Sequence, residues 1–219
     1  LGEDASVRVV VLAGNGPAFC AGADLNWMKR MAGYSYEQNL SDARALAEML
    51  ATVDGVDKPT VARVHGAAFA GGTGLVAACD IAIGTPEAKF CFSEAKLGLS
   101  PATISPYVMR AIGARAASRY FLTAEVFDAA EALRIGLLSA LVPTAELDKS
   151  VDTLARHLLD GGGEAHARIK DLVRQVAGRP IDDALKGDTA RRIAEIRAST
   201  EGKEGIAAFL EKRKPSWKR

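Results

Sequence analysis

Cysteine, histidine and an excess of either charge are what this sequence has least of. Its three cysteines, Cys20, Cys79 and Cys91, include no C-x-x-C spacing. An odd set lying in apolar stretches reads as reduced core thiols of a cytosolic protein, which excludes a disulfide frame and a zinc site. The three histidines support neither a metal nor a triad. His157 and His166 fall among charged residues on predicted helices and read as solvated, and His65, ahead of a glycine turn, reads as a hydrogen-bonded support. No run of about 18 uncharged apolar residues occurs, which excludes a membrane-spanning helix. No basic-then-apolar leader precedes Val7, so the reading is cytoplasmic rather than secreted. A net charge of +1, with both signs interspersed, offers no field that would draw the whole molecule to nucleic acid or an anionic membrane. Only the tail, Lys212-Arg213-Lys214 and Lys218-Arg219, is locally basic. It reads as a solvated terminus, with phosphate binding as the alternative.

What is present is enough apolar material for a full core: 48% of 219 residues. Short β-branched runs at residues 7–12 and 60–64, with further strands at 80–83 and 90–92, alternate with helical patterns at 36–53 and 72–79. Beyond Pro101 the texture becomes helical, at 106–120, 128–135, 147–159, 164–176, 181–198 and 204–212, interrupted by a strand-like run at 137–142. The expected organisation is an α/β core over residues 1–143 and a helical region over 144–219. Gly161-Gly162-Gly163 reads as a hinge or linker, and the stretch 29–35 as mobile.

The glycine clusters carry the chemistry. Gly14-Asn15-Gly16 is followed three residues later by Phe19, so a G-x-G-x-x-G dinucleotide fingerprint fails. Gly71-Gly72-Thr73 supplies no lysine, so a P-loop fails. No serine sits in a G-x-S-x-G elbow, which leaves a Ser-His-Asp hydrolase poorly supported. What remains is two small-residue turns, each beside a predicted strand: Ala21-Gly22-Ala23-Asp24, and Ala70-Gly71-Gly72 after His65. Either alone reads equally as close packing of a helix. Together they can aim two backbone N–H groups, those of Ala23 and Gly71, at one carbonyl oxygen where enolate charge develops, each donor worth about 3 kcal/mol of barrier.

With these turns, Pro59-Thr60-Val61-Ala62, Ala78-Cys79-Asp80-Ile81-Ala82, Ala88-Lys89-Phe90, Leu133-Arg134-Ile135-Gly136-Leu137 and Phe209-Leu210-Glu211-Lys212-Arg213, the chain resembles the crotonase superfamily, the enoyl-CoA hydratase/isomerase family, over nearly its whole length. Residues 21–28 and 92–101 are most similar to bacterial methylglutaconyl-CoA hydratases of leucine breakdown. The resemblance implies a spiral of ββα turns, C-terminal helices that build a trimer or a hexamer of paired trimers, and an acyl-CoA thioester as substrate. No separate cofactor is implied, since coenzyme A is part of the substrate, and no metal. It places the thioester oxygen on the N–H groups of Ala23 and Gly71, lines the CoA site with Ala21, Asp24, Leu25 and Gly72, and brings Lys212 to CoA. Of the two glutamates that many related hydratases carry, one matches Glu94 and the position of the other holds Gly74. Asp24 reads as holding its turn rather than carrying protons. The β-hairpin that family members carry ahead of the first strand is not in this sequence. The expected activity is hydration of a 2-enoyl-CoA with Glu94 as acid/base. A double-bond isomerase, or a non-catalytic acyl-CoA- or RNA-binding homologue, stands as the alternative.

Overall fold

The computed structural model describes residues 1–218. They form two compact units, one made of Val11–Val56 and Thr60–Asp152, the other of Leu1–Val10, Asp57–Pro59 and the residues from Thr153 onward. The division thus falls between Asp152 and Thr153, inside a helix, rather than at residue 143, and the first residues of the chain group with the C-terminal helices.

In the larger unit the chain supplies one strand to each of two sheets and then a helix, and repeats. Strands β1 (Val10–Ala13), β2 (Thr60–Val64), β4 (Ile81–Gly84) and β7 (Ala140–Leu141) form one sheet in the order β1-β2-β4-β7; β3 (Ala67–Phe69), β5 (Lys89–Cys91) and β6 (Phe127–Asp128) form the other. The β2–β4, β4–β7 and β3–β5 pairs are parallel, with Val61 opposite Ile81 and Phe69 opposite Cys91, and β5–β6 is antiparallel. Between them lie α1 (Leu25–Met31), α2 (Tyr36–Gly55), α3 (Gly71–Ala78), α4 (Ser105–Thr123) and α5 (Ala129–Arg134). The units β2-β3-α3 and β4-β5-α4 are successive ββα turns of a spiral, as the family resemblance implies.

Local chemistry explains the element ends. Ser35 and Gln38 close α2 with a capping box, and Asp24 and Asp128 cap α1 and α5 through their carboxylates. Helix α3 is apolar and small all round, and Thr73, Gly74, Val76 and Ala78 are buried in it. Beneath the second sheet Phe90 stacks on Phe127 at 5.6 Å, and Phe92 meets Phe121 edge-on at 4.9 Å. The stretch expected to be mobile at 29–35 is helical through Met31.

The smaller unit contains α7 (Gly163–Val176), α8 (Asp183–Ala198) and α9 (Thr200–Leu210); α6 (Leu147–Leu159) crosses the division. Gly161-Gly162-Gly163 is a packed corner, not a linker. A Cβ on Gly162 would lie 2.1 Å from the Glu201 carboxylate, which accepts the α7 N–H groups of Glu164 and Ala165. Arg8 donates to the Gly161 carbonyl at 2.6 Å. His166 belongs to this corner as well: its Nδ1 is buried without a partner among the described residues, and burial lowers its basicity, so it is not the solvated group expected. The basic tail is held by its own unit, Arg213 by Glu204 and Glu211 and Lys218 by Asp160. Arg219 lies outside the described residues. No helix among the described residues is long and apolar enough to cross a membrane.

Candidate active site

Three parallel segments end side by side, and the candidate residues follow immediately after each. Cys20 forms a parallel bridge to Ala68: its N–H donates to the Ala67 carbonyl at 3.0 Å and its carbonyl accepts from Phe69 N–H at 2.9 Å. On the other side of β3, Ala70 N–H donates to the Cys91 carbonyl at 2.8 Å. The chain leaving these three points is, in turn, Ala21–Asp24, Gly71 and Gly72, and Ser93 with Glu94. In open α/β sheets ligands bind beyond the carboxyl ends of parallel strands, where successive loops diverge.

The second turn is drawn tight by small residues. A Cβ on Gly72 would lie 2.7 Å from the Cys20 Cβ and 2.8 Å from its carbonyl oxygen, so only glycine lets the start of α3 rest on the first turn. Thr73, buried within α3, donates its hydroxyl to the Ala68 carbonyl at 2.6 Å and locks the helix start to β3. Ala70 takes φ 48° and ψ −119°, a conformation that costs a residue with a Cβ about 1–3 kcal/mol. This strained residue stands directly before Gly71, the first residue of α3, and a Cβ on Gly71 would meet open space. As the first residue of a helix, Gly71 has no acceptor within it. Across the bridge, Gly22 at φ 116° turns the chain into Ala23, and Asp24 accepts from Trp27 N–H at 2.7 Å. Neither the Ala23 nor the Gly71 N–H has a backbone acceptor among the described residues.

Glu94 opens a single 3₁₀ turn, Glu94–Leu97, closed by Gly98 in the left-handed conformation, and its carbonyl accepts from Leu99 N–H. The residue is half-buried, and its Oε2 is buried with no hydrogen-bond partner among the described residues. Burial pushes its carboxyl above the usual carboxylate range, outweighing a backbone hydrogen bond that lowers it. An ionisable group raised by desolvation without an ion-pair partner suits proton transfer better than structural pairing.

Ala21, Ala23, Asp24, Leu25, Gly71, Gly72 and Glu94 are therefore brought to one edge of the second sheet. Lys212 belongs to the smaller unit, where it is exposed on the turn after α9 with φ 55°. His65 is a support, its ring nitrogens 3.2 Å from Arg63 Nη1 and 2.8 Å from the Gly16 carbonyl. Trp27 donates to Asp42 of α2. Among the described residues no group of histidine, cysteine and carboxylate side chains could hold a metal ion. Ala70 and Thr73 shape the site but were not legible as functional. Their role lies in backbone angle and contact, which composition does not carry.

The model of the enoyl-CoA hydratase/isomerase family matches residues 1–219. This chain belongs to that family, within the crotonase superfamily. A solved enoyl-CoA hydratase of Shewanella pealeana superposes with a TM-score of 0.95 and is 45% identical, covering 99% of this chain and 81% of its own. A Thermus thermophilus relative is 35% identical over 215 residues, spanning 98% of this chain and 85% of its own length. The enoyl-CoA hydratase AKT6-1 of Alternaria alternata is 34% identical over 215 residues, 95% of this chain and 68% of that one.

Proposed function

We propose that the protein is an enoyl-CoA hydratase that carries out both proton transfers with one carboxylate, Glu94. The observation that carries this reading is the buried Oε2 of Glu94, without a hydrogen-bond partner among the described residues, beside two turns whose Ala23 and Gly71 N–H groups have no backbone acceptor among those residues. In the forward direction ionised Glu94 takes a proton from water as its oxygen bonds to the β-carbon. The electron pair of the double bond moves to the thioester oxygen, and the N–H groups of Ala23 and Gly71 stabilise the enolate. Glu94 then returns the proton to the α-carbon, so atoms and charge balance. Residues 21–25, of which Ala21, Ala23, Asp24 and Leu25 are exposed at the same edge, form the CoA-facing wall, and a branched acyl group of the methylglutaconyl type is the proposed substrate.

A second reading, migration of a double bond with Glu94 shuttling one proton between carbons, is favoured by Gly74, which offers no second acid/base on α3. The two separate cleanly. Crotonyl-CoA, 3-methylglutaconyl-CoA and a 3-enoyl-CoA are each incubated with enzyme, following thioester absorbance and product mass. Gain of 18 mass units from the 2-enoyl substrates supports hydration; conversion of the 3-enoyl substrate alone, without mass gain, makes the protein an isomerase. Glu94→Gln is expected to lower turnover about 10²-fold or more with acyl-CoA affinity nearly unchanged. Unchanged turnover removes Glu94 from the chemistry.

We further propose that the apolar side chains exposed on α9 cover copies of the same chain, in the trimer that the sequence resemblance implies.

A further inference from the structure

Gly74 is buried in α3, and an ideal Cβ built on it would lie 2.3 Å from Ile104 Cγ2 and 2.8 Å from Ile104 Cβ. Ile104, 1% exposed, precedes the first residue of α4. Residues three apart share a helix face, so Gly74 lies on the α3 face that begins with Gly71. Helical side chains also lean toward the N-terminus, so a side chain at position 74 would cover the first turn, next to the Gly71 N–H. That volume belongs to Ile104. The conflict cannot be relieved by a side-chain rotation, because one of the atoms met is the Cβ itself. Nor is α4 free to withdraw, since Val108 and Ile112, one and two turns on, are buried in the core.

We propose that Ile104 is the residue that fixes the number of carboxylates in this site. It fills the space beside the oxyanion donor that a side chain at position 74 would need in order to present a second acid or base, and so leaves both proton transfers to Glu94. The inference rests on the acid/base reading of Glu94 and adds a specificity-determining residue to it. It also makes Gly74 and Ile104 a coupled pair: a larger residue at one position requires a smaller one at the other.

The steric half is tested by a thermal double-mutant cycle. Gly74→Ala is expected to lower Tm by about 4–10 °C in the wild-type chain, as overpacking of a filled core does. In the Ile104→Gly background it should lower Tm little or not at all. Equal losses in both backgrounds, or none in either, overturn the pair. The catalytic half uses Gly74→Glu with Ile104→Gly. There, Glu94→Gln is expected to cost about tenfold or less in turnover, against about 10²-fold or more in the wild type. A loss as large as in the wild type overturns the claim that Ile104 governs the carboxylate count. If Glu94→Gln is harmless in the wild type, the acid/base reading fails and the catalytic half falls with it, whereas the Tm cycle still reports on the pair.

Discussion

Glu94 holds two demands in tension. A carboxylate useful for moving protons near neutral pH is kept partly out of water, and the same burial penalises its charged form in the folded state. Its raised pKa therefore has a stability consequence with a definite sign. The folded state binds the Glu94 proton more tightly than the unfolded chain does, so this group's contribution is fully present below the ordinary value of 4.5 and is lost as pH rises through the raised value. Glutamine carries no charge to bury. Glu94→Gln is thus expected to have a higher Tm than wild type at pH 8, with the two converging below pH 4.5, while turnover falls at every pH. Melting curves across that range check it; a variant less stable at pH 8 would mean that Glu94 is held by an ion pair in the folded protein. Ala70 belongs to the same account, being a strained residue retained directly before the first N–H of α3.

Among the elements, those with one strong local signal were legible in the sequence. The spans 60–64 and 147–159 coincide with β2 and α6, since a β-branched run and an amphipathic repeat each report one geometry. The first strand is shorter than its apolar run, Val10–Ala13 against residues 7–12, because only part of that run finds a partner strand. The short β3 was missed: Ala67–Phe69 has no alternation to read, and its strand character comes from Cys20 on one side and β5 on the other. The candidate site divides in the same way. Glycine turns and Glu94 could be read from residue type, but the Gly74–Ile104 contact joins α3 to the start of α4 and exists only after packing. The tie between α4 and α5 is another such contact. Tyr120, buried near the end of α4, donates to Glu131 of α5 at 2.5 Å, and Arg134 donates to the same carboxylate. Together they hold the Glu131 carboxyl down to about 2, with the Arg134 bond the larger cause, and desolvation with the Glu131 bond pushes the Tyr120 hydroxyl up to about 12. Arg134 is largely exposed and so discounts the ion pair. Glu131→Gln is expected to cost about 1 kcal/mol at pH 7, a Tm lower by about 2–4 °C. A depressed carboxylate stabilises above the unfolded value, so the gap between variant and wild type should close as pH falls from 4.5 toward 2. A gap that persists at pH 2 would assign the loss to packing instead of charge.

On the scale of the whole molecule, the surface of the last helix poses the remaining question. Ile206, Phe209 and Leu210 of α9 are 51%, 82% and 73% exposed, while Ala208 between them is buried. Single exposed apolar residues need no explanation, but three within two turns of one helix form the kind of patch that marks an interaction site. The same unit spends its charged residues internally: Arg192 bridges Asp171 and Asp188, and Arg213 closes on Glu204. An apolar patch suits burial against another apolar surface better than contact with a charged ligand. If copies of this chain are what cover it, the wild-type protein sediments as an oligomer at micromolar concentration. Phe209→Asp, which places a charge where a large ring should be buried, then shifts the mass toward the monomer without loss of helical circular dichroism. A wild-type protein that sediments as a monomer, or a Phe209→Asp variant that stays fully assembled, would remove α9 from the interface.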